Sequence, residues 1–157
     1  MYSGLRRWPL IIGILLVVFL GVHPSAAADN SSTPFSYLRL YAGKDGVSHF
    51  ANVRVPFDIR DYAPPASPLG VSESMKADSV LFVHQASSWN GTWHTSPRRQ
   101  FAILISGTEE VTASDGEVRN FVPGDVLLLE DTSGKGHKAK ITSPAGAVVM
   151  MAPLRSD

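Results

Sequence analysis

Trp93-His94-Thr95-Ser96-Pro97-Arg98-Arg99-Gln100 runs straight into the apolar stretch Phe101-Ala102-Ile103-Leu104-Ile105 and stops at Gly107. Residues of equal parity share one face of a strand. A strand entering at Trp93 would therefore turn His94, Ser96, Arg98 and Gln100 the same way, with Ala102 and Leu104 carrying that face inward. A polar rim above an apolar floor is the composition of a small-molecule pocket. A second stretch supplies another strand and another histidine: Pro123-Gly124-Asp125-Val126-Leu127-Leu128-Leu129, followed by Gly134-Lys135-Gly136-His137.

Around these two stretches the pattern is one of short strands separated by turn residues. Tyr37–Tyr41 alternates, Gly43–Gly46 turns, and Ser48–Val55 alternates again before Pro56. Asp58–Gly70 carries prolines and glycines with little periodicity and reads as a long loop over the barrel. Further strands are expected at Val80–Val83, Gln100–Ser106, Glu110–Ala113, Val118–Val122, Asp125–Leu129, Lys138–Ile141 and Ala147–Met151. Ser114-Asp115-Gly116-Glu117 carries the Asp-Gly signal of a two-residue type I′ hairpin. Short strands at this spacing, with no helical period after the N-terminal segment, predict an all-β sandwich or barrel. Closing such a sheet also removes its exposed edges.

The N-terminus reads as an export signal rather than as fold. Arg6 and Arg7 form a basic start, Pro9–Val22 is almost wholly apolar, and Ala26 and Ala28 offer a small-residue cleavage pattern. A retained anchor is the alternative, and it is the only membrane contact expected. With 1–28 as signal peptide, 29–157 is one domain. The 28 residues take two arginines and no acid, so 14 − 2 = 12 basic residues face 14 acidic ones. No clustered positive field suggests nucleic acid. The absence of cysteine removes disulfides, thiolate sites and a thiol nucleophile, and it suits the periplasm or the cell exterior. Asn30-Ser31-Ser32 and Asn90-Gly91-Thr92 are sequons. A glycan on the second would crowd Trp93 and His94, which fits a bacterial host better.

The two stretches resemble the two half-motifs of the cupin superfamily, within 91–107 and 123–141. The first cupin motif places His-x-His before a Glu and a Gly, and here His94, Gln100 and Gly107 take the first His, the Glu and the Gly places. Ser96 stands at the second His place. In the second motif Gly124 takes the opening Gly and Gly134-x-x-His137 the closing one, with two extra residues between them. The likeness covers residues 78–153 and is nearest to small single-domain RmlC-like cupins. It implies a double-stranded β-helix, or jelly-roll barrel, that holds a metal in its mouth and forms a homodimer. It also implies a metal set of His94, Gln100 and His137 for a divalent Fe, Mn, Ni, Cu or Zn.

Gln100 in place of a carboxylate and Ser96 in place of an imidazole make that set weaker than a full three-His, one-Glu site. Asp131, Glu130 or His49 are the further donors available, and His49 is read either as a third ligand or general base or as a plain surface histidine. Arg98 and Arg99 offer a bidentate grip for an acidic ligand, with one of them at the mouth, or an ion pair to Glu109, Glu110 or Glu130. Trp93, like Trp89, either stacks on a ligand or caps the barrel end. His84 reads as structural. Gly134-Lys135-Gly136 is no phosphate loop, because neither the first glycine nor the Ser/Thr after the lysine is present. Two functions stay open: a metal-dependent isomerase or oxygenase acting on a small organic acid, and a metal-free barrel that binds or senses a small molecule. A self-associating structural protein, suggested by Val148-Val149-Met150-Met151 alone, is a third.

Overall fold

The computed structural model describes residues 34–155, and the expected export segment 1–28 lies outside them. The described chain is all-β, as expected. Its strands are β1 (Phe35–Ala42), β2 (Ser48–Val55), β3 (Asp58–Arg60), β4 (Leu69–Val71), β5 (Leu81–Gln85), β6 (Gln100–Ser106), β7 (Glu109–Ala113), β8 (Val118–Phe121), β9 (Val126–Glu130), β10 (His137–Ile141) and β11 (Ala147–Pro153). A six-stranded sheet runs β2-β1-β9-β6-β11-β5, and a three-stranded sheet runs β10-β7-β8. Both contribute to one core, with Leu40, Leu104, Leu127, Leu129 and Val149 from the first meeting Val111, Ala113, Phe121, Ala139 and Ile141 from the second. Two facing sheets over a shared core are consistent with a jelly roll. All strand pairs are antiparallel except β1 and β9, which run parallel with Leu38 opposite Leu127.

Two local expectations are corrected. Asp58–Gly70 is not a bare loop, because its ends pair as β3 and β4, with Asp58 opposite Val71. The hairpin at Ser114–Glu117 is not type I′. Gly116 alone has positive φ, at 97°, and no non-glycine residue does. Asp115 stays in ordinary backbone space and accepts the Glu117 N–H on its Oδ1 at 2.8 Å. A carboxylate that caps the turn in this way removes the need for a second left-handed residue.

Between the sheets lies a cavity of about 320 Å³. Alternation fixes its lining. On the six-stranded sheet, Gln85, Gln100, Ala102, Leu127, Leu129 and Val149 face it. On the three-stranded sheet, Glu109 and Val111 of β7 and His137 and Ala139 of β10 do.

Candidate functional site

His94 and His137 meet through the backbone. His94 N–H donates to the His137 carbonyl at 2.9 Å, and His137 N–H returns to the His94 carbonyl at 2.8 Å. This bridge continues the edge of the three-stranded sheet beyond β10 and brings the imidazole centroids to 4.5 Å. The close approach depends on Gly136, whose φ is 69° and whose α-hydrogen faces the His94 carbonyl. A Cβ there would sit 2.0 Å from that oxygen. The Trp89 and His94 rings stand nearly perpendicular, 6.3 Å apart between centroids.

Each imidazole is held by its Nδ1. His94 Nδ1 lies 2.7 Å from the Thr92 carbonyl oxygen. His137 Nδ1 lies 2.6 Å from Asp131 Oδ2, in a buried contact. A carbonyl only accepts, so the neutral His94 ring carries its proton on Nδ1 and leaves a lone pair on Nε2. A carboxylate oxygen imposes the same tautomer on His137. Asp131 is wholly buried. Its other oxygen accepts the Ser96 hydroxyl at 2.6 Å, and its backbone carbonyl accepts the Ser96 N–H at 3.1 Å. Ser96, Asp131 and His137 therefore form one buried chain of hydrogen bonds that fixes the ring in place.

The structure brings together His94, Ser96, Gln100 and His137, all on the cavity wall. Ser96 is buried and already committed to Asp131. Their convergence does not come from one continuous strand, as the parity of 94–100 suggested. Residues 97–99 form a bend and β6 begins only at Gln100, so the shared face starts there. That bend leaves Arg98 exposed and off the cavity lining, without an ion pair among the described residues. Arg99 instead pairs with Glu130, which also receives Arg39. Burial acts to raise the Glu130 pKa, but the two guanidiniums outweigh it and hold the group below the ordinary glutamate value.

Trp93 is also outside the lining. It is half exposed and lies beneath the Lys138 ammonium, 5.8 Å from the ring centroid. His49 is on β2, the far edge of the six-stranded sheet, with its Nδ1 2.7 Å from Asp115 Oδ2. The cavity wall comes from strands nearer the other edge, so His49 does not join it. Trp89 does line the cavity, and His84 is exposed on β5.

Two cavity groups escaped the sequence reading. The sequence pattern starts β7 at Glu110 and so offers Glu109 only as an ion-pair partner. Its parity with Val111 and Ala113 would have turned it inward. Burial pushes its carboxyl above the ordinary glutamate value, against smaller opposing effects from the Gln85 amide and His137. Gln85, at the end of β5, donates its Nε2–H to Glu109 Oε1 at 3.3 Å. No group of three or more His, Cys, Asp or Glu placed to hold a metal occurs among the described residues.

No family model matches the chain, and no curated protein does. A similar solved structure is that of a Salmonella typhimurium protein named for ethanolamine utilization (protein Q). It is 16% identical, covers 80% of this chain and 100% of its own length, and superposes with a TM-score of 0.31. At that score the fold rests on the strand topology itself.

Proposed function

We propose that this chain is a cupin-like barrel that binds a small organic molecule in its central cavity, beside a divalent ion held by His94 and His137. The tautomers carry this reading. Both Nδ1 atoms are tied to oxygen acceptors, which leaves both Nε2 lone pairs free on two residues that line one cavity. Metal-binding histidines are held in the same way, with the remote N–H on a carboxylate or carbonyl. Gln100 adds a neutral oxygen donor, and Fe, Mn, Ni, Cu or Zn suits two imidazoles and an amide. An ion there would polarise a carbonyl or activate water or dioxygen, the chemistry of an isomerase or oxygenase. Asp131 fixes the His137 ring, Ser96 fixes Asp131, and the apolar walls exclude water. We further propose export to the periplasm or exterior, resting on residues 1–28, and a homodimer.

One observation favours a metal-free binding barrel instead: the described residues offer no third His, Asp, Glu or Cys to the pair. Elemental analysis of the untagged full chain, purified without chelator, separates the two. The metal reading expects a stoichiometric divalent ion that is lost in His94→Ala and in His137→Ala but kept in His84→Ala. Equal metal in all three variants, or none after incubation with excess divalent ions, leaves the metal-free barrel.

A further inference from the structure

Gln85 is 9% exposed and its Oε1 has no hydrogen-bond partner, the one such buried side-chain atom found among the described residues. It lies on the cavity wall beside Glu109, to which its own Nε2–H is already given. A buried acceptor left empty costs its full desolvation, and a ligand that donates to it recovers that cost. Glu109 has a matching need. Burial raises its carboxyl above the ordinary value, Gln85 and His137 offset only part of that, and no Lys or Arg forms an ion pair with it among the described residues. Arg98 is off the cavity lining, Arg99 is engaged with Glu130, and Lys138 and Lys140 are exposed on the outward parity of β10. The remaining wall is mostly apolar, including Leu81, Val83, Val111, Leu127 and Val149.

From this wall we infer the ligand class: a small organic amine, with its ammonium donating to the Glu109 carboxylate and to Gln85 Oε1 and its body lying on the apolar residues. The inference rests on the reading of the cavity as a small-molecule site and specifies what enters it. An ammonium carries three donors, enough for both acceptors. A carboxylate ligand would set a second negative charge beside Glu109 in a poorly solvated space. An alcohol would satisfy Gln85 but leave the Glu109 charge unpaired. Arg98, the residue expected to grip an acid, is not there to change that preference.

Benzylamine, benzyl alcohol and benzoate share a ring and one carbon and differ in the head group, so they test the claim directly. Each is titrated into the chelator-treated full chain and followed by calorimetry and by tryptophan fluorescence, since Trp89 lines the cavity. Benzylamine is expected to bind about tenfold or more tightly than benzyl alcohol, with benzoate weakest. Glu109→Gln, which keeps size and shape, is expected to lose that advantage and leave the alcohol unchanged. Gln85→Leu is expected to weaken the amine and the alcohol alike. Binding led by benzoate or benzyl alcohol, or amine binding unaltered in Glu109→Gln, overturns the amine inference and leaves the small-molecule site standing. If none of the three binds a chain whose circular dichroism is that of a folded β protein, the cavity reading itself fails, and the inference with it.

Discussion

Glu109 shows how much one inward carboxyl decides. Its folded pKa lies above the ordinary glutamate value because burial penalises its charged form, while Gln85 and His137 offset only part of that. For such a group the stabilising contribution is fully present below the unfolded pKa and is lost as pH rises through the folded pKa. Glu109→Gln removes the titration. Urea unfolding at a series of pH values should therefore show the variant gaining on the native chain as pH rises from the ordinary glutamate value through the raised one. The slope can be no steeper than about 1.4 kcal/mol per pH unit, and the difference should level off above that window. Glu130 is held low and runs the opposite way, losing its contribution as pH falls, but it is common to both proteins and cancels. A difference independent of pH would mean that Glu109 is solvated in the native state.

At the level of elements, the turn before β10 carries two glycines at positive φ, Gly134 and Gly136. It delivers His137 to His94 across a backbone contact that leaves no room for a Cβ at Gly136. Gly116 also has positive φ but has open space around it. Comparing alanine at the two positions separates steric from conformational cost. Gly116→Ala should cost about 1–2 kcal/mol, the left-handed penalty alone. Gly136→Ala should cost clearly more and should also weaken ligand and metal binding, because the His94–His137 bridge has to open. Equal urea midpoints for the two variants would show that the loop gives way without disturbing the pair.

The same elements show what the sequence made legible. β2 and the end of β6 were readable to the residue, since Pro56 and Gly107 stop regular alternating or apolar runs. So was the meeting of His94 with His137, through the resemblance of the two half-motifs. Asp131 was visible only as a nearby donor, because its place under His137 comes from a turn whose path parity cannot give. Glu109 was lost to a strand start placed one residue late, which left it outside the element whose inward parity it shares with Val111 and Ala113. Arg98 was assigned to the mouth by alternation that the bend at 97–99 interrupts.

At the scale of the whole molecule, the outer face of the six-stranded sheet bears on the proposed homodimer. Alternation puts Phe82, Met150 and Ile103 in one row across β5, β11 and β6, since Phe82 and Ile103 both pair with Met150. Phe82 is 67% exposed and Ile105, on the same face, 47%. A symmetric dimer buries the same patch from both chains, so a single apolar row serves both sides of the interface. The core is built from the opposite parity, and charging the outer row leaves it intact. Sedimentation velocity at micromolar concentration should give the native chain twice the monomer mass. Phe82→Glu combined with Met150→Glu should give a monomer with an unchanged far-ultraviolet spectrum. A native chain that sediments as a monomer rejects the dimer. A double variant that still sediments as a dimer moves the interface elsewhere, and the outward edge of β2 is the next surface to charge, because the apolar row does not reach it.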